Sequence, residues 1–121
     1  MTNRPQLDSA KIHPAIRTGV TQYHSELLNK VIDAVANNQA VVVGMSLNPS
    51  VKKARKLLEE QGINVEYLEF GGYGSMWRER LAIKMWSGWP TYPQVFVNGT
   101  LVGGASDLQK LIKAKELQAL L

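Results

Sequence analysis

Apolar residues recur along this chain with a period that changes several times, and each change marks an element. From about Thr21 to Asn37, Leu27, Leu28, Val31, Ile32 and Val35 fall at helical spacing, and Asn37-Asn38 supplies a stop. Ala40 to Met45 is a β-branched run between polar residues, the pattern of a strand buried on both faces. Asn48 is placed to cap a following helix, with Pro49 at its first position, where a missing N–H costs nothing. Val51, Ala54, Leu57 and Leu58 form the buried stripe of that helix, which runs to about Gln61 and closes at Gly62 in the left-handed role. Ile63 to Phe70 alternates, with Ile63, Val65 and Tyr67 opposed to Asn64, Glu66 and Leu68. Two strands joined by a helix predict a parallel pair with a right-handed crossover.

Gly71-Gly72-Tyr73-Gly74 reads as a connection, and Ser75 as the cap of a helix over Met76 to Ser87. The run WPTYPQVFVNGTLVGG, Trp89 to Gly104, follows. Tyr92-Pro93 stands directly before the strand Gln94 to Val97, and a cis bond is expected there. Asn98-Gly99 suits a two-residue type I′ hairpin, with Val95, Val97 and Leu101 as one face of its strands. Gly103-Gly104 ends the second strand, and Ser106 or Asp107 caps a helix reaching about Leu120 that buries Leu108, Leu111, Ile112 and Leu117. Residues 1 to about 19 hold two prolines and no clean period, so they read as an irregular arm whose HPAIR segment, His13 to Arg17, is a candidate for docking on the body. The order helix, β, α, β, α, β-hairpin, α predicts an α/β fold. An arm and added helix occupy 1–38, and the main domain occupies 39–121.

At 121 residues and 45% hydrophobic content, the chain is sized for one domain with a core. Its longest apolar run, Ala40 to Val43, is far short of the roughly 20 residues a spanning helix needs. The first residues lack the apolar stretch of a secretory signal, so the expected compartment is cytoplasmic and no membrane partner is expected. The net charge of +4 favours anionic partners in general. Lys52, Lys53, Arg55 and Lys56 lie opposite a buried stripe and form a solvated face; without a recognition motif, no nucleic acid is expected. The Gly71–Gly74 loop lacks the Lys-Ser/Thr ending of a phosphate-binding loop.

The block from Arg80 to Leu108, with its WPTYPQ, NG and GG, resembles the C-terminal half of a glutaredoxin, in particular the monothiol type. The segment NPSVKKARKLLEEQG, Asn48 to Gly62, is similar without a gap to the family pattern CPYCxKAKxLLxxxG. The resemblance implies a thioredoxin-like (glutaredoxin) fold, a four-stranded mixed sheet flanked by helices, here with an extra N-terminal helix. It places Asn48 and Val51 at the two cysteine positions. It also implies a ligand site for glutathione or a similar peptide: the backbone of Tyr92 before Pro93, then Gly104, Ser106 and Asp107 at the last helix, with Arg80 and Lys84 as carboxylate contacts. Met45 stands where dithiol members often carry a lysine, Ala105 replaces a Cys or Ser, and Ser106 replaces the first of two acids.

The chain has no cysteine at all. A thiolate is what attacks a disulfide, and Asn and Val cannot substitute for it, so no catalytic residue is expected. Ser46 and Ser50 lack a base, since the two histidines, His13 and His24, belong to the N-terminal region. No metal is expected and no cofactor is required; glutathione is the ligand to test. Helix starts near Pro49 and Ser106 are expected to present unpaired N–H groups to anions. Tyr73, Trp77, Trp86, Trp89 and Tyr92 read as core and cleft lining, whereas joint exposure of Trp77 and Trp86 beside the cleft would signal a partner patch. The leading expectation is a non-catalytic module that binds a glutathione-like ligand or a protein partner in a redox-related setting. One alternative is a structural or interaction protein with a filled cleft. The other is a thiol-disulfide oxidoreductase whose natural chain carries the cysteines, although Asn and Val are not the usual Ser or Ala replacements. The sequence names no oligomeric state.

Overall fold

A computed structural model describes residue 5 and residues 7–16 and 24–121. Its helices are α1 (Ser25–Asn37), α2 (Pro49–Glu60), α3 (Trp77–Ser87) and α4 (Ala105–Lys113), and its strands are β1 (Ala40–Gly44), β2 (Val65–Glu69), β3 (Gln94–Val97) and β4 (Thr100–Gly103). Short 3-10 turns cover Ser9–Lys11 and Leu117–Leu120. The sheet order is β2-β1-β3-β4, with β1 and β2 parallel and the other two pairings antiparallel. This is the four-stranded mixed sheet with flanking helices that the resemblance implies.

Every residue of β1 is buried, and its side chains divide between two cores. Ala40 and Val42 face α2 and α4 with Val51, Ala54, Leu58, Val95, Val97 and Leu108. Val41 and Val43 face the other way, among Val31 of α1, Ile83 of α3 and Phe96. An unbroken valine run is what a strand covered on both sides requires, and α1 is thereby a layer of the core.

Helix α2 ends in a Schellman motif. Gly62, at φ +74°, donates its N–H to the Glu59 carbonyl, and Ile63 donates to Leu58. The hairpin turn has positive φ at both Asn98 (49°) and Gly99 (85°), as type I′ demands. That turn sets Thr100 opposite Val97 and Leu101 opposite Phe96, so Leu101 packs with Phe96 and not on the face of Val95 and Val97 expected for it. The Tyr92–Pro93 bond is cis.

Four expected elements differ. The last helix stops at Lys113, because Lys115 adopts φ +59° and a separate turn carries buried Leu117 back to the core. Gly104, not Ser106 or Asp107, holds the cap position of α4. Ser75 does not cap α3; its Oγ accepts from the Gly72 N–H, and Met76 at φ 54° precedes the helix. The second strand is shorter than Ile63 to Phe70, and α1 starts at Ser25 after His24 at φ 51°, while residues 21–23 of the expected helix lie outside the described ones. In the arm, His13 to Ile16 are exposed rather than docked.

Candidate functional site

Three segments meet at one edge of the molecule: the start of α2, the turn before β3 and the start of α4. Lys53 Nζ donates to Gln109 Oε1 at 2.9 Å, tying the two helices together. Between them lies a cavity of about 170 Å3 lined by Ser50, Trp89, Thr91, Tyr92, Pro93 and Gly104 to Asp107. A site that engulfs a drug-sized ligand takes roughly 300–1,000 Å3, so this one accommodates one end of a longer molecule.

Asn48 opens α2 with an extended backbone, and its Oδ1 accepts from Ser50 N at 2.9 Å and Val51 N at 3.2 Å. The start near Pro49 therefore does not offer those N–H groups to an anion, contrary to expectation: the residue at the nucleophile position consumes them. Val51, at the second thiol position, is a core residue packed so closely on β1 that a Cβ on Gly44 would sit 2.7 Å from its Cγ2. With no thiolate at either place, the donor set does not fit an iron–sulfur cluster.

The α4 start is arranged differently. Gly103 takes φ +105°, and a Cβ there would lie 2.8 Å from Asp107 Oδ2. This close approach lets Asp107 Oδ2 accept the Gly104 N–H at 3.0 Å. The first bond of the helix runs from Leu108 N to the Gly104 carbonyl, so the N–H groups of Ala105 to Asp107 have no acceptor within the helix.

Of the residues expected at the ligand site, the cavity gathers Tyr92, Pro93, Gly104, Ser106 and Asp107, while Arg80 and Lys84 are not among its lining. Arg80 is 8% exposed, so it is not surface charge. Its Nη1 donates to the carbonyls of Phe70 at 2.8 Å and Ser75 at 2.5 Å, pinning the β2–α3 loop. Tyr92 Oη donates to the Arg80 carbonyl at 2.5 Å, and Lys84 Nζ lies 5.6 Å from the Tyr92 ring centroid. Burial raises the Tyr92 phenol well above its ordinary pKa, against a smaller opposing pull from the Arg80 charge. Ser50, a hydroxyl without a base, and Ala105, where the family carries Cys or Ser, also line the cavity, as does Thr91, a small polar residue that carries no chemical signal in the sequence.

Among the aromatics, Trp89 and Tyr92 line the cleft as expected. The Trp89 indole N–H is buried without a partner among the described residues, and its Nε1 lies 3.9 Å from where a Gly104 Cβ would be. Gln94 is fully buried and donates from Nε2 to the Trp89 carbonyl at 3.0 Å. Tyr73 and Trp77 are neither core nor cleft lining; both are exposed. Trp86 is exposed too, although 5.7 Å from the Phe96 ring, but it is nine residues from Trp77 and so about half a turn away around α3, and neither lines the cleft, so the two do not form the joint patch beside it.

Comparison with known proteins agrees with this geometry. The glutaredoxin family model matches residues 49–102, beginning one residue after Asn48. A glutaredoxin-like protein of Dictyostelium discoideum is 55% identical over 91 residues, covering 75% of this chain and 74% of its own. Wheat glutaredoxin superposes with a TM-score of 0.69 at 31% identity, over 80% of this chain and 90% of that one. A buckwheat glutaredoxin–glutathione complex superposes at 0.70 and 21% identity, over 83% and 91%, a likeness of fold. Since the Dictyostelium relative is matched over most of its length and solved glutaredoxins share the fold, this chain belongs to the glutaredoxin family.

Proposed function

We propose that this protein is a non-catalytic glutaredoxin whose cleft binds one end of a glutathione-like peptide, or of an extended segment of a protein partner. The observation that carries the reading is the cavity at the start of α4, open at residues 104–107, beside an α2 start whose donors Asn48 already satisfies. Helix starts with free N–H groups favour carboxylates, and the buckwheat relative's complex contains glutathione. Thiol-disulfide exchange is absent for want of a thiolate. The ligand's carboxylate sits at Ser106 and its neighbours; Arg80, turned to its own loop, acts by fixing the wall behind Tyr92.

Calorimetry with reduced and oxidised glutathione tests this. The native chain releases heat with at least one form, and Ser106→Trp, which fills the cavity mouth at an exposed position, abolishes it without lowering thermal stability. No heat at millimolar glutathione removes the ligand assignment. Turnover in a glutathione-dependent disulfide reduction assay removes the non-catalytic one.

A further inference from the structure

Helix α3 carries an apolar stripe that is exposed among the described residues. Trp77, Leu81 and Met85 are 58%, 41% and 55% exposed, while Arg80, Ala82 and Ile83 point inward. At about 3.6 residues per turn, Trp77 and Met85 lie roughly 40° to either side of Leu81. The stripe plays no part in the cleft, whose lining includes none of the three. Contiguous exposed apolar surface of this kind marks an interaction site more often than chance exposure does.

The charges around it are one-sided. Arg78 and Lys84, three residues before and after Leu81, flank the stripe at roughly 60° on each side. Glu79, the sole acid of the helix, lies about 160° away from Leu81, toward the opposite face. Arg78 stands 5.2 Å from the Trp77 ring, at the N-terminal end of the stripe. A second copy of the chain is a poor occupant. Antiparallel packing about Leu81 would set Arg78 beside Arg78 of the second copy, and Lys84 beside Lys84, two like-charged pairs.

We propose that this face docks an amphipathic helix of a partner protein whose apolar stripe is bordered by Asp and Glu. Helix-on-helix recognition uses anchors at the spacing Trp77, Leu81 and Met85 provide, and the flanking cations set the sign of the partner.

The test titrates the full chain with a labelled synthetic helix carrying leucines at i, i+3, i+4 and i+7 bordered by glutamates, and with a twin in which every Glu is Lys, followed by anisotropy. The acidic peptide binds saturably and the basic twin at least about tenfold more weakly. Leu81→Gln weakens the acidic peptide about tenfold while circular dichroism, thermal unfolding and glutathione calorimetry stay unchanged. Arg78→Glu with Lys84→Glu reverses the preference between the peptides. The proposal falls if the twins bind equally, if Leu81→Gln has no effect, or if neither binds. It also falls if phosphatidylserine vesicles, a synthetic peptide of residues 1–23 or a second copy of the chain occupies the stripe in preference to the acidic peptide. Because the glutathione calorimetry does not involve Leu81, failure here and failure of the cleft assignment are separate results.

Discussion

The two helices that start at the cleft solve the same problem in opposite ways. Each leaves its first N–H groups without acceptors inside the helix. At α2 the acceptor comes from within, since Asn48 Oδ1 takes the Ser50 and Val51 N–H groups. At α4 the cap position is a glycine with no side chain to give, and Asp107 reaches back only as far as the Gly104 N–H, which precedes the helix. One start is closed by its own sequence and the other awaits an outside acceptor. Asn48, at the position the family gives to its nucleophile, thus does more than lack a thiol: it satisfies one helix start and leaves the α4 start as the one open to the ligand proposed above.

The largest expected effect comes from undoing that conversion. Asn48→Cys places a thiol at a helix N-terminus, where its pKa falls below the usual value near 8.5. The variant should form a mixed disulfide with oxidised glutathione, seen by intact mass spectrometry, at least about tenfold faster than Lys56→Cys on the exposed side of the same helix. Equal rates would mean that the α2 start does not activate a group at position 48.

Next in size is Gly103→Ala, which strikes the α4 start alone. A methyl group at φ +105° and 2.8 Å from Asp107 Oδ2 must displace the carboxylate that holds Gly104. A loss of about 2 kcal/mol is expected in urea unfolding, and glutathione heat should fall with it. Unchanged stability would show that the Asp107 arrangement tolerates a shift.

Smaller and matched losses separate the two starts. Asn48→Ala and Asp107→Ala should each cost about 1 kcal/mol. Since the two side chains share no hydrogen-bond partner, the double variant should lose the sum to within about 0.5 kcal/mol. Marked non-additivity would make the two starts one unit. Asn48→Ala also frees two N–H groups, so sulfate should raise its melting temperature more than that of the native chain; an equal shift would count against the view that Asn48 is what closes α2.

The α2 start was legible because its parts are local. Asn before Pro before an apolar stripe states a capped helix within a few residues, and the Gly62 stop and the Asn98-Gly99 turn are equally local. The α4 start was misread for the complementary reason. Ser106 and Asp107 are good cap types, but the chain enters the helix two or three residues earlier, through the Gly103-Gly104 backbone, and where the cap falls depends on how β4 meets the helix. Leu101 changed faces because a strand's register is counted from the turn and not from the nearest valine. Arg80 shows the same limit: the resemblance implies a carboxylate contact, but the guanidinium is taken up by the loop whose carbonyls it binds, Phe70 to Ser75. Trp77 reads as core or cleft lining by its type, and only the packing of α1 and the sheet on the other side of α3 shows that it faces outward.

The smallest effect concerns the wall between the two starts, where Tyr92 lines the cavity and donates to the Arg80 carbonyl. Burial raises its phenol pKa, and that of Tyr67, raised to about 12, is lifted by burial first and by Glu69 second, against the Arg55 guanidinium 4.1 Å from the ring. In both cases the folded chain holds its proton to higher pH than the unfolded chain, whose tyrosines titrate near about 10. The stabilisation this represents is complete below that value; above it the unfolded chain releases protons that the folded chain keeps, so stability declines as pH rises toward the folded pKa values. Urea unfolding from about pH 8 to about pH 11 should show that decline, with lysine titration common to every variant. Tyr92→Phe should be less stable at the lower pH, having lost the bond to Arg80, yet decline less steeply above about 10. A parallel decline would mean that water reaches the Tyr92 hydroxyl, and that the wall joining the closed helix start to the open one is looser than its geometry implies.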